Sequence, residues 1–216
     1  QIPSALKALQ RLAERHREQY DIPVIGITGS NGKTMVKEWL NQLLSPTTKT
    51  TRSPRSYNSQ TGVPLSVWLL DETTQLGIFE AGISQPGEME ALRDIIQPTI
   101  GVMVSLGSAH QENFGSMEEK CREKLRLFKD CEILVYCSDD EITDRCVKLG
   151  KISHRLLSWS KIDANAPLFI RNINKKGGET EIKYTYNGKT GRYTIPFVDD
   201  ASINDSIHCL AVCLYL

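Results

Sequence analysis

The first residues able to do chemistry are Gly26-Ile-Thr-Gly-Ser-Asn-Gly-Lys-Thr34. They lie between the apolar run Ile22 to Thr28 and a segment in which Met35, Val36, Trp39, Leu40, Leu43 and Leu44 recur at helical spacing. A glycine turn between a strand and a helix leaves backbone N–H groups free and turns the positive end of the helix dipole toward an anion. Lys33 adds a point charge and Thr34 a hydroxyl suited to magnesium, so Gly29, Ser30, Asn31, Gly32, Lys33 and Thr34 are the expected cradle for the phosphates of a nucleotide. The general phosphate-loop pattern asks for glycine where Ile27 stands, with Gly26 and Gly29 flanking that position instead. The bland alternative is a tight connection that holds no ligand.

Three further side chains can join this loop. Glu80 ends the apolar run from Leu76, at the strand end where open α/β sheets bind ligands. Its carboxylate can hold magnesium, or it can be a solvated strand-end glutamate. His110 follows the run Thr99 to Ser105 in a loop containing Gly107 and is expected at the same edge, as a ligand or as a structural histidine. Ser116 and Glu119 form a capping box that starts a helix whose apolar stripe is Met117, Cys121, Leu125 and Phe128. Lys124 falls along that stripe, whereas Lys120 and Lys129 read as lying further round. Burial lowers a lysine's pKa and favours the neutral, nucleophilic amine, which can add carbon dioxide and become a carbamate able to ligate a metal. The alternative is a buried stem with its charge in water.

The elements that must position these groups alternate as strand, turn and helix. Ile22 to Thr28, Leu76 to Glu80, Thr99 to Ser105 and Glu132 to Cys137 are short apolar runs, and helical stretches follow them. That order predicts an α/β fold, a parallel sheet with helices on both faces as in P-loop NTPases. Ser4 opens a lead-in helix within residues 1–21. From about 155 to 198 the texture becomes four β runs, Leu156 to Ser160, Pro167 to Ile173, Thr180 to Asn187 and Arg192 to Phe197. Gly177-Gly178 and Asn187-Gly188 supply hairpin turns, so a small antiparallel subsheet is expected here. Lys plus Arg and Asp plus Glu both count 26, which leaves no net field to draw nucleic acid. The six cysteines form no C-x-x-C pair and read as reduced thiols of a cytoplasmic protein, and no apolar run is long enough for a membrane span. Gln1 at the start and an apolar helical run at Leu216 give the expectation of a piece of a longer protein.

The loop variant Gly-x-Thr-Gly-x-Asn-Gly-Lys-Thr resembles the ATP loop of the Mur ligase family, and the resemblance continues in order along nearly the whole chain. Tyr57-Asn58 through Gly62-Val-Pro64, Glu80-Ala-Gly-Ile-Ser84 with Pro86-Gly87-Glu88, and Gly107-Ser-Ala-His110 with Phe114-Gly115-Ser116 and Lys124 each resemble a family segment. Within the family the pattern is most similar to the type that joins D-alanyl-D-alanine to UDP-N-acetylmuramoyl-tripeptide in peptidoglycan synthesis. The resemblance implies a central ATP-handling domain, with N-terminal and C-terminal substrate domains outside this chain. It also implies ATP and two magnesium ions as cofactors, one ion on Thr34 and Glu80, the other on His110 and a carbamylated Lys124. Lys33 then serves the β- and γ-phosphates, and Tyr57 and Asn58 the substrate.

Two segments depart from the family. Ser105-Leu106-Gly107 stands where relatives commonly read Asn-Ile-Gly, and Asp205 occupies the place of an asparagine that touches adenine, with Asn204 beside it. Helix capping is the other reading of Asn204 and Asp205, and His208 reads as a core-edge histidine. Rival functions are another Mur-type ligase, a folate polyglutamate synthase, or a P-loop NTPase or nucleotide-binding module with no ligase role. The folate enzymes typically carry Gly-Lys-Gly-Ser, against Gly32-Lys33-Thr34 here, and the last reading gives Lys124 no task.

Overall fold

The computed structural model describes residues 4–107, 111–150 and 155–216. Among the described residues nine strands form one sheet in the order β2-β3-β1-β4-β5-β6-β7-β8-β9. The strands are β1 (Val24–Thr28), β2 (Thr50–Arg52), β3 (Leu76–Glu80), β4 (Ile100–Met103), β5 (Ile133–Cys137), β6 (Arg155–Ser160), β7 (Leu168–Lys176), β8 (Glu179–Tyr186) and β9 (Lys189–Ile195). The helices are α1 (Ala5–Arg17), α2 (Lys33–Leu44), α3 (Gly62–Val67), α4 (Glu88–Ile96), α5 (Met117–Leu125), α6 (Glu141–Gly150) and α7 (Asp200–Tyr215).

Neighbours from β2 through β6 pair parallel, as helix-connected strands do. Successive side chains of a strand go to opposite faces, and two cores result. Val24, Phe79, Met103 and Leu134 meet α1, α3, α4, α5 and α6 on one face. Ile25, Ile78, Val102 and Val135 meet Val36 and Leu40 of α2 and Ile203, Ile207 and Ala211 of α7 on the other. Both faces are therefore apolar, which explains why these strands read as continuous runs rather than alternations.

The antiparallel region begins later than residue 155. Strand β6 pairs parallel with β5, and β7 joins β6 in parallel through Trp159–Leu168 and Ser160–Phe169. Helix α6 lies between β5 and β6, and a helical crossover returns the chain in the same direction, which the short run Leu156 to Ser160 could not reveal. Among the described residues only β7, β8 and β9 form antiparallel hairpins, and they extend the main sheet. Both turns have positive φ at both central residues, 61° and 87° at Gly177 and Gly178, 48° and 74° at Asn187 and Gly188. That is the conformation for which Gly-Gly and Asn-Gly are suited. Among the described residues no helix is long and apolar enough to cross a membrane.

Two expectations about helix faces fail. On α2 the residues Met35 and Leu43 are exposed, and the buried face is Val36, Lys37 and Leu40. On α5, Lys120 is buried along with Lys124. In both helices a lysine occupies a stripe position that apolar counting passes over.

Candidate functional site

The carboxyl ends of β1, β3 and β4 place the candidate groups side by side. After β1 the chain turns at Gly29, where φ is 148°, and at Gly32, where φ is 87°. A β-carbon on Gly29 would lie 2.3 Å from Val104 and 3.0 Å from the Ser105 carbonyl oxygen, so this turn needs glycine for space as well as for angle. The loop is tied to the end of β4: the Ser30 amide donates to the Ser105 carbonyl at 2.7 Å, and the Ser30 hydroxyl to that of Gly107 at 3.0 Å. The Ser105 hydroxyl donates to the Asn31 carbonyl at 3.2 Å, so this serine helps close the loop.

Two lysines converge on one carbonyl of this loop. Lys33 Nζ donates to the Gly29 oxygen at 3.0 Å and the Ser30 oxygen at 3.2 Å, and Lys124 Nζ donates to the same Gly29 oxygen at 3.1 Å. Lys124 arrives from α5, whose first turn is fixed by the Ser116 hydroxyl accepting from the Glu119 amide at 3.0 Å. Glu119 in turn accepts from the Gly115 amide at 2.9 Å. Burial, followed by the neighbouring charges of Lys33 and Lys120, pulls the Lys124 amine down from 10.5 to about 7. Burial also lowers Lys33, against the opposing pull of Glu80. The Lys124 shift favours the neutral amine, the form that adds carbon dioxide. The second lysine of the stripe, Lys120, donates to the Gly107 carbonyl, and it too is lowered by burial.

Glu80, at the end of β3, has no exposed side-chain surface. The Thr34 hydroxyl donates to its two carboxylate oxygens at 3.2 and 3.0 Å, and the Asn58 amide donates at 3.3 Å. Thr34, Glu80 and Asn58 are thus in one cluster, while Tyr57 is exposed beside it. Together a hydroxyl and a carboxylate form a hard-oxygen pair of the kind magnesium takes, completed by phosphate oxygens and water. Among the described residues no three His, Cys, Asp or Glu side chains gather to hold a metal without such help. His110 lies outside the described residues.

A cleft of about 430 Å³ runs along these groups, lined by Gly29, Lys33, Asn58, Gly82, Ser84 and Lys124. A second cavity of about 380 Å³ lies behind Gly32, with Asn204, Asp205, His208 and Trp159 in its wall. Asp199 caps α7 by accepting from the Ser202 amide at 2.8 Å, so neither Asn204 nor Asp205 is the cap. Asn204 accepts from Lys161 at 2.7 Å. A β-carbon on Gly32 would lie 2.3 Å from the Asp205 carboxylate, and burial raises that carboxyl to about 6. His208 is a core residue: Nδ1 accepts from the Trp159 indole N–H at 3.2 Å, and burial lowers its pKa to about 3.

Sequence reading missed Lys37, which is fully buried against Glu80. Its signal was its place one turn after Lys33 and three residues before Leu40 on the buried side of α2.

Fold and site together define a class: an α/β domain with a strand, glycine turn and helix of the phosphate-binding kind at the carboxyl edge of a parallel sheet. The chain belongs to the Mur ligase family, since residues 27–213 match the Mur ligase middle domain. It is 31% identical over 217 residues, 99% of its length, to UDP-N-acetylmuramoyl-tripeptide–D-alanyl-D-alanine ligase of Borreliella burgdorferi, and covers 46% of that protein. Its fold superposes on MurF from Acinetobacter baumannii with a TM-score of 0.89 at 24% identity, covering 99% of this chain and 47% of that one. MurF ligase from Thermotoga maritima in complex with ADP gives 0.87 at 24% identity, with 99% and 50% covered. The chain thus spans about half the length of these relatives.

Proposed function

We propose that this chain is the ATP-handling domain of a cytoplasmic ligase that adds D-alanyl-D-alanine to UDP-N-acetylmuramoyl-tripeptide during peptidoglycan synthesis. Segments flanking the relatives' middle domain would supply most recognition of the peptide acceptor and the dipeptide. The observation that carries the reading is the convergence of Lys33 and Lys124 on the Gly29 carbonyl, in a cleft also lined by Asn58, which donates to the Glu80 carboxylate of the Thr34–Glu80 pair. A phosphate cradle alone explains Lys33. A desolvated second lysine on the same oxygen fits an enzyme that carbamylates it to hold a metal ion at the acceptor end of the transferred phosphoryl group.

The reaction begins when an acceptor carboxylate oxygen attacks the γ-phosphorus of ATP, breaking the bond to ADP and forming an acyl phosphate. The dipeptide amine then attacks the acyl carbon, phosphate leaves, and an amide remains. Positioning and charge neutralisation dominate such a transfer, and lysines, a hydroxyl and a carboxylate are the groups the described part of the site supplies for it. Lys33 exchanges its loop carbonyls for β- and γ-phosphate oxygens, and the amides of Asn31 and Gly32 hold the phosphates, while the Ser30 amide stays on Ser105 and fixes the loop. Thr34 and Glu80 would hold one magnesium ion, and His110 with carbamylated Lys124 the other. Two such ions neutralise charge on the γ-phosphate and its acceptor. The cavity at Asn204 and Asp205 takes the adenine, and Tyr57 and Asn58 face the acceptor.

The test is Lys124→Ala in the polypeptide that carries both flanking segments. Ligase activity should fall by about two orders of magnitude or more. Acetate or formate should restore part of it by standing in for the carbamate, and bicarbonate should restore none. Unimpaired activity would sink the proposal.

A further inference from the structure

Lys37 is a fully buried lysine that the reaction above does not use. An ammonium group removed from water needs partners in the protein. Its Nζ donates to the Arg55 carbonyl and reaches one Glu80 oxygen at 3.3 Å and Glu38 at 3.1 Å. Lys33, the lysine of the phosphate loop, is instead held by the Gly29 and Ser30 carbonyls. The cation beside Glu80 is therefore the one a turn further along α2.

Residues 53–58 wrap around the same carboxylate. The Glu80 amide donates to the Ser53 hydroxyl at 3.3 Å, and Arg55, at φ 47°, turns its carbonyl to Lys37. Ser56 shares a hydrogen bond of 3.1 Å with Thr34, and Asn58 donates to the second Glu80 oxygen. One carboxylate oxygen, Oε1, is thus shared by Lys37 and Thr34, and the other, Oε2, by Thr34 and Asn58. A buried carboxylate with no compensating charge is strongly destabilising. Lys33 lies near enough to feel this charge, but between one bound nucleotide and the next Lys37 is the lysine in direct contact with it.

We infer that Lys37 is a positioning residue for Glu80: it compensates the buried carboxylate in place of the divalent cation and keeps it aimed, by linking it to the loop that carries Ser56 and Asn58. This rests on the proposal that Glu80 holds magnesium.

A double-mutant cycle on the 216-residue chain tests it, with melting temperature read in ATP plus EDTA and in ATP plus magnesium. Without magnesium, Lys37→Met should melt about 10 °C below the parent. Adding Glu80→Gln should regain at least half of that loss, because the uncompensated charge is gone. The rise in melting temperature caused by magnesium should be at least twofold larger in Lys37→Met than in the parent, and absent in the double variant. A purely structural lysine would lower stability without changing the magnesium increment. The inference is overturned if the double variant is no more stable than Lys37→Met, or if Lys37→Met shows the parent's increment. Should Lys37→Met fail to fold, a cooperative melt of the double variant supports the inference, and failure of both overturns it. No magnesium increment in the parent would refute Glu80 as a ligand and the stand-in role with it, while the arm without magnesium separately reports the Lys37–Glu80 pair.

Discussion

Strands β1, β3 and β4 are buried at every position, whereas β9 has no buried residue at all. The first three end at the phosphate loop, at Glu80 and at the segment that closes the loop. The last belongs to hairpins whose outer side carries Lys183, Glu181 and Arg192 in surface ion pairs. Rigidity in the site thus comes from packing on two faces, which fixes backbone carbonyls such as that of Gly29 well enough for two lysines to share one. The hairpins need only one packed face, with Ile182, Tyr184 and Tyr193 against α7, and tolerate a bulge between Ile170 and Asn172.

Glycine substitutions should break this comparison open most widely. Gly29 and Gly178 both hold positive φ, at 148° and 87°. A methyl group at Gly29 meets Val104 and the Ser105 carbonyl, whereas at Gly178 it meets nothing within 4 Å. Gly29→Ala adds overpacking to backbone strain and should destabilise by about 3–6 kcal/mol and abolish protection by ATP. Gly178→Ala carries the strain alone, about 1–2 kcal/mol, and should bind ATP as the parent does. Chemical denaturation with and without nucleotide measures both, and equal losses would mean that the site has no tighter backbone than the hairpin.

Side-chain deletion should give a smaller contrast of the same sign. Ile78, with no exposed surface, stands in β3 between the two strands that flank it. Ile78→Ala should cost about 3 kcal/mol, and Ile195→Ala, half-buried at the sheet edge, about 1 kcal/mol.

These differences follow from what was legible in the sequence. Continuous apolar runs announced β1, β3, β4 and β5 because both their faces are buried, while the short, half-exposed β2 gave no such signal, and Gly177-Gly178 and Asn187-Gly188 announced the hairpins through their turn chemistry. The direction of β6 was not legible, since a six-residue apolar strand looks the same whether its partner runs parallel or antiparallel. In the site, Gly29 to Thr34, Glu80 and Lys124 were legible from residue type at strand and helix ends. Lys37 and Lys120 were not, because a helical stripe is read by its apolar members and a lysine within it counts as an interruption. What makes each lysine tolerable is a backbone carbonyl or a carboxylate from distant sequence, Arg55, Glu80 or Gly107, and only the fold brings those near.

The finest comparison lies within α7, where Asp205 and His208 border the same cavity with opposite titration behaviour. His208 drops from 6.5 to about 3 on folding, so between those values the unfolded chain binds a proton that the folded one refuses, and stability falls as pH falls. Asp205 rises from 3.8 to about 6, so between those values the folded chain holds the extra proton, and stability grows as pH falls. Each slope is about 1.4 kcal/mol per pH unit, and they oppose one another from 3.8 to 6. Replacing one partner should expose the other. Relative to the parent, His208→Gln should gain about 3 kcal/mol between pH 7 and pH 4.5, and Asp205→Asn should lose about 2 kcal/mol. Denaturant melts at the two pH values measure this, and parallel pH profiles for parent and variants would show that the cavity wall does not hold these two charges out of water.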